Sequence, residues 1–383
     1  MEISAALLAL PPITPSFERA SGRAETAVAL ARAERLMELS RYDEALGALD
    51  DVHVPTVTAP DLALRVLHCE AWARMYLGEL AAAATLCERA RALAEAPSFT
   101  DVDRAEALFR LATCRLKLGK VANAVSLFGE SLRLADSQGM SGDRVRARAF
   151  EWRARCYVIQ RDWEAAQYDA EHAVELAGSL QDLRLAALAK MQCSVIAERR
   201  GDPRLARYYA ERARDLAADC GDRQTEARLL NNLGGLSFLL GEPEVAVGQI
   251  KDAFTIFLEL GNDTDAAQAV SSLAQIHLRC GAPQLAEEQA RHALSILAGR
   301  DDYIDEQGNV HLVLGRSLLD QDRVDEAMSE FSAAEWLFER LGSASHVAAA
   351  WIAQGDAYSR LGDLDTAAGL YRRAASALQD FHF

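Results

Sequence analysis

Lysine is scarce in this chain: of 41 basic residues only Lys117, Lys120, Lys190 and Lys251 carry an ammonium, so a single arginine in a pocket says little by itself. Positive charge in excess is also missing. A formal net charge of −16 and an isoelectric point near 5.0 leave no basic face of the kind phosphate backbones require, which argues against direct nucleic-acid binding. Paired cysteines are lacking too. The seven thiols (Cys69, Cys87, Cys114, Cys156, Cys193, Cys220 and Cys280) form no CxxC pair and total an odd number, which points to reduced core residues rather than a disulfide or zinc framework.

No apolar run is long enough to span a bilayer. The short run Ile3 to Leu10 is followed by Pro11, Pro12 and Pro15 and has Glu2 as its only early charge, which does not fit a secretory leader. The expectation is a soluble, cytoplasmic protein with no membrane partner. Catalytic motifs are absent as well: there is no GxxxxGK loop, HExxH pair, GxSxG elbow or GxGxxG turn. The eight histidines include no two spaced three or four apart, so no helix presents a metal pair; His277 and His292 read as packed or surface residues. Asp301 to Glu306 and Asn262 to Asp265 lack the glycine and closing glutamate of a calcium loop and read as solvated turns. Neither an enzyme nor a cofactor is expected.

What the chain does contain is one unit repeated. Asn231 to Gly261 reads as two amphipathic helices joined at Gly241-Glu242-Pro243, with Gly234, Ala246 and Ala253 small where the helices cross. The Ala246 slot recurs at Ala45, Ala83, Ala124, Ala166, Ala206, Ala286, Ala327 and Ala367, at intervals of 38 to 42 residues. Twelve residues earlier stand Ala33, Ala71, Ala112, Ala154, Ser194, Gly234, Ala274, Gly315 and Gly355; seven residues later the set from Val52 to Ala374 is small with one exception. Three registers repeating together imply about nine helical hairpins. Gly78, Gly119, Gly201, Gly241, Gly281 and Gly362 end the first helices, with Ser40, Arg161 and Asp322 as substitutes, and Pro203, Pro243 and Pro283 suit the start of the second.

This pattern resembles the tetratricopeptide repeat family, which places small residues at the eighth, twentieth and twenty-seventh positions of a unit. The resemblance covers about residues 26 to 380. It departs from the family in its longer unit of about 40 residues, in the missing late proline, and in showing the eleventh-position aromatic only at Tyr157 and Tyr358. It implies an all-α fold, an α-α superhelix of about nine repeats spanning 25–383 after an N-terminal extension, 1–24. The breaker-rich stretch 136–143 is the expected place for a flexible joint.

The resemblance also implies a binding wall on the first helices, whose second, fifth, sixth, ninth, twelfth and thirteenth residues face the inside. Those positions give Arg148, Arg155, Gln192, Arg228, Asn231, Asn232, Gln268, Gln275, Arg279, Asn309 and Arg316 as ligand contacts. Amides can both donate to and accept from a peptide backbone, and arginine pairs a carboxylate through two parallel bonds. Glu151 stands four residues before Arg155 and can satisfy it within its own helix. The expected function is a non-catalytic sensor or adaptor that holds a peptide, protein segment or small ligand. The alternatives are a structural scaffold or oligomerisation module, or a partner of a transcription regulator without its own DNA-binding domain. Phe381 and Phe383 suggest a homodimer contact or a folded-back tail at the terminal repeat.

Overall fold

The computed structural model describes residues 15–39, 41–50, 52, 59–299 and 303–379. These residues form eighteen helices and no strand. The chain divides into two compact units, Met1–Val145 and Arg146–Phe383. The first holds α1 (Pro15–Glu38), α2 (Tyr42–Gly47), α3 (Pro60–Tyr76), α4 (Leu80–Ala94), α5 (Asp101–Lys117), α6 (Val121–Ala135) and the start of α7 (Gly139–Gln160). The second continues α7 and adds α8 (Trp163–Ser179), α9 (Leu183–Arg199), α10 (Pro203–Asp219), α11 (Arg223–Leu239), α12 (Pro243–Glu259), α13 (Asp263–Arg279), α14 (Pro283–Ile296), α15 (Ile304–Leu319), α16 (Val324–Leu341), α17 (Ala344–Arg360) and α18 (Leu364–Gln379). The fold is an all-α solenoid of consecutive packed helix pairs.

The turns follow from local chemistry. At the end of α11, Gly241 adopts φ +84 and its amide donates to the Phe238 carbonyl, after which Pro243 opens α12. Arg161 and Asp322 take the same left-handed place at φ 59 and 58, as their positions in the repeat predict. Ser40 lies outside the described residues. Asp162, Asp182, Asp202, Asp222 and Asn262 cap α8, α9, α10, α11 and α13, each accepting a hydrogen bond from the amide three residues on. A cap of this kind stabilises a helix by about 1 kcal/mol, so the helix starts are written into the sequence.

The small-residue slots are the helix crossings. Ala45, Ala83, Ala124, Ala166, Ala206, Ala246, Ala286 and Ala327 are fully buried. At Gly234 a side chain would overlap Ile250 Cγ1 on α12, so the close approach of α11 and α12 requires glycine there. In the first unit the crossings are filled by Leu30, Leu36, Leu49, Leu62 and Val66, and further on by Phe109 and Phe128 with ring centres 6.0 Å apart. In the second they are filled by Leu229, Leu233, Ile250, Phe257, Phe331 and Phe338. Each such side chain contributes about 1.5–3 kcal/mol on burial.

Within each unit, successive first helices touch: α1 with α3 and α3 with α5, then α9 with α11, α11 with α13, α13 with α15 and α15 with α17. Among the described residues no second helix touches another second helix. The first helices therefore crowd the inner side.

Three readings of the sequence are corrected, for the thiols, Asp265 and Glu306. Cys220 and Cys280 are exposed at helix ends, whereas the other five thiols are buried as expected; Cys87 and Cys114 lie 3.6 Å apart, and their hydrogen bond together with burial pushes the Cys87 thiol up. Within the stretch expected to flex, residues 139–143 form the first turns of α7, and Gly142 is buried where a side chain would overlap the Ala135 carbonyl. Asp265 is no solvated turn residue, since it receives Arg228 and Asn262. Glu306 is half-buried in the first turn of α15 because the apolar packing of that helix begins at Ile304. The tail expected to make a dimer contact, Phe381 to Phe383, lies outside the described residues, as does most of 1–24.

Candidate functional site

All eleven residues expected on the wall lie on first helices of the second unit: Arg148 and Arg155 on α7, Gln192 on α9, Arg228, Asn231 and Asn232 on α11, Gln268, Gln275 and Arg279 on α13, and Asn309 and Arg316 on α15. They differ sharply in how they are engaged.

Several arginines are tied to the scaffold. Arg155 donates through Nε to Glu151 at 2.7 Å and lies over the Trp152 ring at 4.3 Å. Burial raises the Glu151 carboxyl above its usual range, while Arg155 and Arg148 act to lower it. Arg228 reaches from α11 to Asp265 on α13, with Nε to Oδ2 at 2.9 Å and Nη2 to Oδ2 at 2.8 Å. Arg184, at a different position of its repeat, also reaches the next repeat, from α9 to Asp222 at 2.8 Å. Arg279 is exposed and covers the Phe238 ring at 5.9 Å.

The uncharged residues are the opposite case. Among the described residues Gln192 is 4% exposed and its Nε2 has no hydrogen-bond partner; Asn231 Oδ1 and Ser271 Oγ are likewise buried and unmatched there, with Ser271 2% exposed. Asn232 and Asn309 are half-buried, and Gln268, Gln275 and Arg316 are exposed, with no side-chain bond within the described residues. An unmatched buried polar atom costs about 1–3 kcal/mol, and native folds keep few of them. Here three fall on α9, α11 and α13, which are neighbours through their first-helix contacts. Beside them, burial with help from Asp305 and Asp265 pushes the Glu306 carboxyl up to about 7; the nearby Ser271 hydroxyl pulls the other way without closing a well-formed bond.

The first unit carries a feature that the sequence reading passed over. A cavity of about 670 Å³ is lined by Glu34 and Met37 of α1, by Asp61, Leu64, Arg65, His68 and Trp72 of α3, by Phe99 of the α4–α5 turn, and by Asp103, Glu106 and Arg110 of α5. Glu34, Met37, Arg65, His68, Trp72, Glu106 and Arg110 occupy the same inner-face positions in their units as the eleven residues do in theirs. Applying that register to the first three repeats finds them. The charges here are matched internally: Arg65 donates to both Glu34 oxygens at 2.8 and 2.9 Å, and Arg110 donates to Glu106 at 2.7 Å while lying 4.9 Å from the Trp72 ring centre. Burial, with Glu34 nearby, pushes the Cys69 thiol up to about 11, so it stays protonated at neutral pH.

Among the described residues no group of three or more His, Cys, Asp and Glu is placed to hold a metal, and no helix is long and apolar enough to cross a membrane.

A stack of helix pairs with small residues at each crossing and first helices on the inner side defines an all-α helical-repeat solenoid. Residues 70–139 match the model of the tetratricopeptide repeat family. The chain is similar in fold to a Rap protein solved in complex with Competence and Sporulation Factor, at 17% identity and a TM-score of 0.58, covering 93% of this chain and 98% of that one. It is similar in the same way to a signal transduction ATPase with numerous domains carrying a tetratricopeptide repeat sensor, from Pyrococcus horikoshii, at 14% identity and a TM-score of 0.58; the match covers 90% of this chain and 52% of that one. The apo form of RapI matches at 12% identity with a TM-score of 0.56, covering 73% of this chain and 98% of that one. No curated protein sequence matches the chain.

Proposed function

We propose that the chain is a non-catalytic sensor or adaptor that holds an extended peptide or protein segment along the first helices of its second unit. The observation that carries this reading is the row of buried, unmatched polar atoms: a donor at Gln192 Nε2, an acceptor at Asn231 Oδ1, and at Ser271 Oγ a group that is both. A peptide backbone offers donors and acceptors in alternation and matches such a row without needing charge. Gln268 and Gln275 add exposed amides to the same face of α13, and Arg279 and Arg316 add cations suited to a terminal or side-chain carboxylate. The similarity to a Rap protein complexed with Competence and Sporulation Factor, and to a protein with a tetratricopeptide repeat sensor, supports the same reading.

The test is mass spectrometry of whatever co-purifies with the chain, followed by titration with that species made synthetically. Asn231 and Gln275 accept no hydrogen bond from the scaffold, so Asn231→Ala with Gln275→Ala should leave folding intact and weaken capture by about tenfold, or roughly 1.4 kcal/mol. Unchanged affinity removes both residues from the site.

A scaffold or oligomerisation reading rests on α18, the last helix, where Leu364, Tyr371 and Leu378 are exposed together. A concentration-independent monomer mass by light scattering eliminates it.

A further inference from the structure

The inner wall of the first unit holds a cavity whose chemistry differs from the peptide row of the second, and it stands whether or not that row binds anything. At about 670 Å³ it falls in the size range of small-ligand sites, about 300–1,000 Å³. Its apolar wall is Met37, Leu64, Trp72 and Phe99; its lining carries four carboxylates and two guanidiniums beside His68 and Ser98, and Arg23, just outside it, pairs with Asp61. The two guanidiniums are already taken, Arg65 by Glu34 and Arg110 by Glu106. An anionic guest would have to strip one arginine from its carboxylate and leave that carboxylate among the remaining acids. A cation meets less resistance: Asp103 keeps Oδ1 outside its hydrogen bonds to Thr100, and Asp61 keeps Oδ1 outside its solvent-exposed ion pair with Arg23. Arg110 over Trp72 shows that this indole accepts a cation against its face.

We infer that this cavity is a second ligand site, selective for a small organic cation: an ammonium or guanidinium on a flat apolar body that packs on Trp72 while its charge faces Asp61 and Asp103. The apolar part supplies contact area, and the excess acid decides the sign of the guest. A free small molecule fits better than a long polymer, because the lining comes from three adjacent helices and one turn rather than from a groove running past them.

Isothermal titration of the full chain with tryptamine, indole and indole-3-acetate separates the contributions, since the three share a ring and differ in charge. Tryptamine should bind at least about tenfold more tightly than indole, and indole more tightly than indole-3-acetate. The preference should shrink as salt is raised, because Asp61 is open to solvent. Trp72→Leu should weaken tryptamine by about tenfold, and Asp61→Asn, an exposed change that leaves the core alone, by about threefold. Tryptamine binding should survive Asn231→Ala, which acts on the other unit. Equal or tighter binding of indole-3-acetate, no tryptamine binding at millimolar concentration, or full affinity in both Trp72→Leu and Asp61→Asn would overturn the assignment, as would capture of basic peptides with no free cation.

Discussion

On the inner side of the first unit, Glu34 holds Arg65 and Glu106 holds Arg110, whereas on the inner side of the second, Gln192, Asn231 and Ser271 bury atoms with no hydrogen-bond partner among the described residues. Both faces come from the same positions of the same repeat. In the first unit the charges of Glu34, Arg65, Glu106 and Arg110 neutralise one another around an open cavity. In the second the amides are left waiting, at a cost in stability that a fold without a ligand has no reason to carry.

The contrast is not a general shortage of partners in the second unit. Arg153 grips Asp169 with two bonds, at 2.7 and 2.8 Å, on a carboxylate that is 1% exposed, and burial raises that carboxyl while Arg153 lowers it. Asp169→Ala should be the most damaging single change, costing about 3–5 kcal/mol in urea denaturation, because it strands a half-buried guanidinium between α7 and α8. A loss below about 1 kcal/mol would mean that the second unit tolerates unmatched groups anywhere, and the row on the wall would lose its meaning.

Ala246→Leu comes next. Ala246 is fully buried at the crossing of α11 and α12, so the larger side chain should overpack it and cost about 1–3 kcal/mol. A silent result would mean that the repeat register, and with it the assignment of wall positions, is shifted.

Glu306 sharpens the comparison through pH. Its folded pKa of about 7 lies above the ordinary value of 4.5, so the folded state holds this proton more tightly than the unfolded chain. The stabilisation is fully present below about 4.5 and is lost as pH rises through about 7. Glu306→Gln should therefore match the parent near pH 4.5 and exceed its stability above pH 7, by something on the order of 1–3 kcal/mol. Thermal melts across that range check the sign, and parallel curves would show that Glu306 is solvated.

The smallest effect belongs to the first unit. Arg65 and Glu34 are about half exposed, so Arg65→Ala should change stability by less than about 1 kcal/mol, even though it opens the cavity wall. A larger loss would mean that this pair is structural rather than part of a binding surface.

Most of the fold was legible because it is encoded locally and repeated. Glycine or a tolerant substitute at each hairpin turn, proline at the start of α10, α12 and α14, and an alanine at each crossing say the same thing nine times. The sites were legible only as positions. The register places Asn231 and Arg228 on one face, but only the neighbouring repeat decides that Arg228 finds Asp265 and Asn231 finds nothing. Glu306 and Asp265 were misread for the same reason: an acidic run looks solvated until a packed helix start buries it. The cavity around Trp72 follows from the same positional rule applied to the first three repeats.

Gln192 and Ser194 stand two residues apart on α9, both buried, and they make the decisive pair: Ser194 donates to the Ala206 carbonyl at 2.8 Å, while Gln192 Nε2 donates to nothing. In equilibrium urea denaturation of the ligand-free chain, Ser194→Ala should lose about 1 kcal/mol, whereas Gln192→Met, which keeps the shape and removes the unmatched amide, should gain about 1 kcal/mol. Loss of stability in both variants would contradict the account, because Gln192 would then be serving the fold rather than a guest.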